Sequence, residues 1–363
     1  MSEQGAGPEQ GDSLDEAAEI IRAAVREGHV PGAVAAAGTG RTVLATLAAG
    51  LADTTAGSAR PMRAGTRFDL ASLTKVAGTA TAVLALAGRG GIGLDAPAGR
   101  YLPSFGALRE VTIRQLLSHT SGLPGSRRFY QWCAARDELL RDLAATPLEA
   151  APGTRVTYSD LGFMALGQIV SVVTGEPLDA AVGHLVTGPL EMTMTGYNPA
   201  VHDSDFAATE PRPGGTAWTG VVHDGNARLM GGVAGHAGLF APVADLVTFA
   251  VWWVSRGDSV VPEALRREAE RCQTAGLGGS RGLGWACQGD SFDIAGSTWP
   301  PGSVSHTGFT GTSLTLDSAS GAWLVLLTNS VHFGRAPDRI RALRRDLHAV
   351  LAPRAGRPGG RGR

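Results

Sequence analysis

Residues 76–86, Val-Ala-Gly-Thr-Ala-Thr-Ala-Val-Leu-Ala-Leu, carry no charge and are apolar or small on every face. A helix of that composition has no side to turn to water and reads as an interior helix. The chain must therefore be large enough to wrap it, and 363 residues with 43% hydrophobic side chains suit one large domain or two interleaved ones. Ser72-Leu73-Thr74-Lys75 stands at the entrance to this run. Residues three apart share a helix face, which places the Lys75 ammonium beside the Ser72 hydroxyl. A serine hydroxyl is a poor nucleophile until a base takes its proton. Lysine titrates near ~10.4 in water, and burial lowers that value, so Lys75 is expected to act as base or proton shuttle. Amides at the helix start would stabilise developing negative charge on the reacting group. Read alone, the same four residues describe a capping serine and a surface lysine, but this helix has no polar face to hold a surface lysine.

Two further strings follow in order. Tyr158-Ser159-Asp160 lies after Pro152-Gly153 and before an apolar segment, so a helix is expected from about Asp160 to Val173. Ser159 or Asp160 would serve as its cap, with Tyr158 either packing nearby or acting as general acid/base. A phenol beside an ammonium ionises more readily and can relay a proton between Ser72 and a leaving group. His306-Thr307-Gly308-Phe309 precedes Thr312-Ser313-Leu314-Thr315-Leu316, whose alternation predicts that His306-Thr307-Gly308 opens a strand. Glycines at 308 and 311 permit close approach of a substrate to the backbone. The Phe309 amide then becomes the expected partner of the Ser72 amide in an oxyanion hole. His306 has a structural reading as well.

With Ser72-x-x-Lys75, Tyr158-Ser159-Asp160 and His306-Thr307-Gly308 in this order, the chain resembles the serine β-lactamase-like superfamily over roughly residues 15–350. That group comprises class C β-lactamases, D-alanyl-D-alanine peptidases, and esterases and transacylases of the same fold. Gln115–Leu123, containing Ser118-His119-Thr120-Ser121-Gly122, and Gly231–Phe240, containing Gly235-His236-Ala237-Gly238, carry the likeness further. The resemblance implies Ser72 as nucleophile, Lys75 and Tyr158 as the acid/base pair, and His306, Thr307 and Gly308 as an edge-strand wall, with His119 and His236 structural. Two positions depart from it. The β-lactamases carry Asn where Asp160 stands, to hold the acyl-amide group, and Lys where His306 stands, to hold the substrate carboxylate. A neutral imidazole and an anion-prone side chain weaken that recognition while leaving the acyl-transfer groups in place. The expected enzyme is therefore a serine esterase or transacylase passing an acyl group from Ser72 to water, an alcohol or an amine. Arg127, Arg128 and Arg228 are alternative sources of the missing cation. A β-lactamase or D-amino-acid peptidase is the rival enzyme, and a catalytically silent binding protein of the same fold is the rival of another class.

The remaining sequence sets bounds. A formal net charge of -1 gives no nucleic-acid footprint, and no apolar run makes a convincing membrane span. Cys133, Cys272 and Cys287 are odd in number and widely spaced, and residues 1–16 are polar and acidic without the apolar core of a leader. Both point to a cytoplasmic protein rather than an exported wall peptidase. Residues 1–13 and the Arg/Gly tail 353–363 are expected to be disordered. An amphipathic helix is read over Asp15–Glu27, and a hairpin over Ala33–Gly38 and Arg41–Leu51. Strands are read near Leu283–Asp290, Thr312–Leu316 and Trp323–Asn329, with a last helix over Pro337–Leu351. The pattern predicts an α+β protein: an antiparallel sheet from residues 14–68 and 280–352, flanked by terminal helices, with a mostly helical insert at 69–279 and Ser72 at the seam. Gly278-Gly279-Ser280-Arg281-Gly282 fits G-x-S-x-G but lacks the strand before and helix after that a nucleophile elbow needs. His223, Asp224, His236 and His306 lack a close-spaced ligand pair. No metal or cofactor is therefore expected, and the oligomeric state is left open.

Overall fold

The computed structural model describes residues 8–57, 59–200, 205–335 and 337–353. Helix α1 (Pro8–Arg26) leads into the hairpin β1 (Gly32–Thr39) and β2 (Thr42–Asp53), then short β3 (Arg60–Pro61). After β4 (Phe68–Asp69) the chain enters a π-helical stretch, Lys75–Ala80, continuous with α2 (Thr81–Gly88). The helical middle continues with α3 (Ile113–Leu117), α4 (Arg136–Ala144), α5 (Asp160–Thr174) and α6 (Leu178–Val182). Short β5 (Gly196–Tyr197) and the hairpin β6 (Pro211–Arg212) and β7 (Thr216–Ala217) interrupt it. It resumes through α7 (Gly225–Leu229), β8 (Leu239–Ala241), α8 (Val243–Val254) and α9 (Glu263–Glu270). The chain returns through β9 (Ala286–Cys287), β10 (Val304–Thr307), β11 (Ser313–Asp317) and β12 (Ala322–Thr328), and closes on α10 (Pro337–Val350).

Early and late strands share one antiparallel sheet in the order β3-β2-β1-β12-β11-β10-β9. The two ends of the chain are joined where β1 pairs with β12, Val34 opposite Leu327 and Ala36 opposite Val325. Successive residues of a strand face opposite ways, and both faces here are buried. Val34, Ala36, Leu314, Leu316, Val325 and Leu327 join the large core with the helical middle. Ala33, Ala35, Ala37, Leu324 and Leu326 pack under α1 and α10, against Ile21, Leu343 and Leu347. Alanines on that face of β1 allow the two terminal helices to lie close to the sheet. The result is the α+β architecture, an antiparallel sheet with terminal helices on one side and a largely helical region on the other.

Some local expectations differ. Helix α1 begins at Pro8 and so takes in residues 8–13, which were expected to be disordered; residues 1–7 and 354–363 lie outside the described residues. His306-Thr307 closes β10 rather than opening a strand, and the strand that follows Gly308 starts at Ser313. Strand β10 is only four residues long and mixes Ser305 and Thr307 with Val304, too short and too polar to show a hydrophobic alternation. The strand expected over Leu283–Asp290 shrinks to Ala286–Cys287, because Gly284 and Gly289 turn the backbone at positive φ on either side. The three-stranded sheet β4-β8-β5 has no counterpart in the sequence reading, being built from strands of two or three residues.

Leu347 is fully buried between α10 and the sheet. Leu347→Ala should therefore lower unfolding free energy by about 2–5 kcal/mol, read as a reduced denaturant midpoint with an unchanged slope. A loss below about 0.5 kcal/mol, the range of a surface change, would mean that the terminal helices do not seal this face.

Candidate active site

Ser72 sits on a braced elbow. Asp69, at the end of β4, accepts the Ala71 amide at 2.8 Å in a two-residue Asx turn, and its other carboxylate oxygen accepts the His223 amide at 2.6 Å. Ala71 is held at φ 46°, in the left-handed region that a side-chain-bearing residue rarely adopts. This turn delivers Ser72, half-buried, to the head of the interior helix. Two threonines lace the elbow to the β10–β11 turn: Thr310 donates to the Asp69 carbonyl at 2.7 Å and Thr312 to the Leu70 carbonyl at 3.0 Å. Gly308 completes the contact, since a Cβ there would meet Leu70 O at 2.5 Å. The Ser72 and Phe309 amides are thereby held on facing segments, and no acceptor among the described residues takes either one.

Lys75 is fully buried, yet it is not the free base that burial alone would make. Its ammonium donates to Ser72 Oγ at 2.9 Å, Asp160 Oδ1 at 2.7 Å and the His236 carbonyl at 3.1 Å. These are all three protons of a lysine ammonium. Burial pulls its pKa down, but Asp160 and Tyr158 outweigh it and hold Lys75 above the ordinary lysine value. The expectation of a depressed lysine pKa is corrected: the position 160 carboxylate, read from sequence as a loss of substrate contact, is the counter-ion of Lys75. The His236 carbonyl reaches Lys75 because the 231–240 segment lies directly on α5. A Cβ on Gly235 would stand 2.0 Å from the Phe163 carbonyl, and Gly167 meets the same segment from the helix side.

Tyr158 and Asp160 are placed by the start of α5. Ser159 is the N-cap, accepting the Gly162 amide at 3.2 Å and donating to the Pro124 carbonyl at 2.6 Å. The Lys75 nitrogen lies 5.0 Å from the centre of the Tyr158 ring and the Arg281 guanidinium 5.3 Å from it. His119 packs on the same ring at 4.6 Å and Phe292 at 5.0 Å.

Ser72 and Tyr158 open into a cavity of about 620 Å³ that runs along His306, Thr307, Gly308 and Phe309 to α10. His306 is buried, and its Nδ1 donates to the Thr307 carbonyl at 3.0 Å. Burial, with the charges of Lys75 and Arg281, pushes its pKa well below the ordinary histidine range, so the ring is neutral. Strand β9 covers Val304 and Ser305 but not His306 or Thr307, so the sheet is open where the cavity lies. Phe309 is 56% exposed at the mouth, stacked on His223. Asp160 faces Lys75 and is not among the cavity residues.

Sequence reasoning missed several cavity and supporting residues. Arg127, Arg128 and Arg228 do not line the cavity, and Arg228 donates instead to the Val222 and His223 carbonyls. The arginines that do are Arg281, Arg335, Arg341 and Arg344. Arg281 is buried and ion-paired to Asp290 at 2.8 Å, Arg335 pairs with Glu210, and Arg344 donates to the Gly308 and Thr312 carbonyls. Arg281 belongs to the G-x-S-x-G stretch, whose Ser280 lies on a loop outside the cavity. The Asx turn of Asp69 was the one detectable signal, an Asp two residues before the turn it caps. Of the four residues weighed as metal ligands, His236 Nε2 contacts Asp224 at 2.9 Å, His223 Nε2 lies 3.0 Å from Glu210, and His306 Nδ1 donates to the Thr307 carbonyl.

The β-lactamase family model matches residues 17–349. Esterase EstB of Burkholderia gladioli is 35% identical over 373 residues, covering 91% of this chain and 94% of the esterase. A putative D-alanyl-D-alanine carboxypeptidase of Escherichia coli strain K12 is 32% identical over 312 residues, 75% of this chain and 71% of that protein. Among solved structures, EstCE1, described as a hydrolase with promiscuous acyltransferase activity, superposes with a TM-score of 0.76 at 23% identity, covering 93% of this chain and 99% of that one. The family match and the near full-length similarity to an esterase make this chain a member of the β-lactamase family.

Proposed function

We propose that the protein is an esterase or transacylase that forms an acyl-Ser72 intermediate with small-molecule esters or thioesters. The observation that carries this reading is the triple engagement of Lys75. An ammonium with all three protons committed has no lone pair for the Ser72 proton, so Tyr158 is the proton relay. In acylation Ser72 Oγ attacks the acyl carbon and gives its proton to the Tyr158 oxygen as the phenol's own proton passes to the leaving alcohol or thiol, while the carbonyl oxygen bears negative charge between the Ser72 and Phe309 amides. Water, an alcohol or an amine then attacks the acyl carbon and gives a proton to the Tyr158 oxygen as the phenol's proton returns to Ser72 Oγ. Lys75 stays charged throughout and steadies the negative charge near Ser72.

The preference for esters over carboxylated lactams rests on charge. Neutral His306 offers no fixed cation at the strand, and Asp160 is committed to Lys75 rather than to a substrate amide. Similarity to an esterase over nearly the whole chain points the same way. A lactamase or D-amino-acid peptidase is the second reading, supported by Arg344, which lines the cavity without a carboxylate partner among the described residues. No single described helix is long and apolar enough to cross a membrane. A reducing, cytoplasmic setting is part of the proposal, supported by three cysteines none of which is paired.

Steady-state kinetics on p-nitrophenyl butyrate and nitrocefin, with and without an added alcohol or amine acceptor, test the reading. The ester should have the higher kcat/KM, and acceptors should divert product from acid to ester or amide. A lactam kcat/KM equal to or above that of the ester would establish the second reading instead. Ser72→Ala should abolish covalent labelling by a fluorophosphonate without loss of fold, whereas retained turnover would remove Ser72 from the mechanism. Tyr158→Phe should lower kcat by ~10²–10⁴-fold, the range of general acid/base help.

Asp160→Asn makes a pH prediction. Asp160 is one of the groups that raise the Lys75 pKa, while burial lowers it. Removing the carboxylate takes away one of the interactions that hold the proton on Lys75, so Lys75 releases it at lower pH. The alkaline limb of the kcat–pH profile should therefore move to lower pH in this variant. An unmoved or upward-shifted limb would show that the charge of Lys75 does not depend on Asp160.

A further inference from the structure

We infer that His119, in the loop before Leu123, is a positioning residue that fixes the reactive rotamer and backbone of Tyr158. This rests on the role proposed for Tyr158. His119 holds that residue from three directions. Its carbonyl accepts the Thr157 amide at 2.9 Å and its Nδ1 accepts the Ser159 amide at 3.0 Å, so one residue grips the backbone on both sides of Tyr158. Its ring packs on the Tyr158 ring at 4.6 Å and on Phe163 of α5 at 5.2 Å. The next stretch of the same loop continues the grip, with the Pro124 carbonyl on Ser159 Oγ and the Gly125 carbonyl on the Asp160 amide at 2.8 Å.

Two features of His119 oppose folding and are kept nonetheless. Its backbone stands at φ 60°, and with Nδ1 accepting a hydrogen bond the ring proton lies on Nε2, which is buried without a partner. Strained backbone and an unpaired polar atom in one residue beside a reacting group are where positional demands outweigh local stability. Nδ1 accepts only from an unprotonated ring, and burial with the nearby charges of Arg281 and Lys75 keeps the imidazole well below its ordinary pKa. A histidine meets these demands at once: an acceptor one bond beyond Cγ, a flat face for the phenol and a carbonyl turned back by the left-handed backbone. The loop thus fixes where the Tyr158 oxygen points, and a shift of about 1 Å in a reacting group costs ~10²-fold in rate.

Three variants of the full chain, assayed on p-nitrophenyl butyrate below their own unfolding temperatures, test the inference. His119→Phe keeps a ring and removes the acceptor; it should lose kcat by ~10²-fold with KM within about twofold of the parent. His119→Asn returns an acceptor oxygen and tolerates the left-handed backbone, and should recover most of that loss. His119→Phe placed on Tyr158→Phe should cause no further fall, because a positioning residue has nothing left to position. A folded His119→Phe enzyme with parental kcat, failure of Asn to rescue, or full multiplicative loss in the double variant would each overturn the inference. If Tyr158→Phe alone keeps parental kcat, the proposed role of Tyr158 falls instead, whatever the His119 variants do.

Discussion

A fully buried ammonium is the demand to which this molecule is organised. An isolated charge at that depth is unfavourable by many kcal/mol unless it is paired and hydrogen-bonded. Lys75 meets the condition with one acceptor from each of three segments: Ser72 on its own helix, Asp160 from the start of α5, and the His236 carbonyl from the 231–240 segment. Segments 85 and 161 residues away must therefore converge within hydrogen-bond distance of one nitrogen. Contact between α5 and the 231–240 segment is possible only where both backbones lack side chains, at Gly167 and Gly235. The same convergence that satisfies the lysine sets Tyr158 beside Ser72, since Tyr158 lies two residues before Asp160.

A second lacing, independent of Lys75, joins the turn before Ser72 to the segment bearing Phe309. Asp69 shapes the turn before Ser72, and Thr310 and Thr312 tie that turn to the loop bearing Phe309. Asp69 is buried, and burial raises its pKa despite two backbone amides that favour its charged form. The strain at Ala71 is held by these bonds rather than relaxed. The helical middle thus contributes the proton-handling groups, and the junction of β4 with the β10–β11 turn contributes the amides.

How much of this was legible in the chain follows from how local each signal is. Strands β1 and β12 are continuous small or apolar runs, β2 follows β1 across a Gly-containing turn, and the terminal helices carry an apolar face; together they build the sheet and its outer cover. Ser72, Lys75 and Tyr158 were singled out as residue types that carry chemistry at recognisable spacing, and in the structure the Lys75 ammonium lies on Ser72 Oγ and over the Tyr158 ring. The protonation of Lys75 was misjudged because burial is a local inference from an apolar helix, whereas its counter-ion lies 85 residues away. His119, Arg281 and Arg344 act through contacts that cross the fold, and no spacing within the sequence announces those contacts.

Charge distribution in the cavity explains what such a site selects. Around Ser72, Lys75 is paired with Asp160 and Arg281 with Asp290, and the His119 and His306 rings are neutral. A neutral ester entering this region brings no charge of its own. A substrate with a carboxylate beside the scissile bond would meet an imidazole with no net charge at β10. Its nearest uncompensated guanidinium in the cavity wall belongs to Arg344, whose Nη2 is already bound to the Gly308 and Thr312 carbonyls. Drawing that group toward a ligand would loosen the very turn that holds the Phe309 amide. Under the proposed reading, anion recognition and oxyanion stabilisation compete for one structural support, and this favours donors that require only the second.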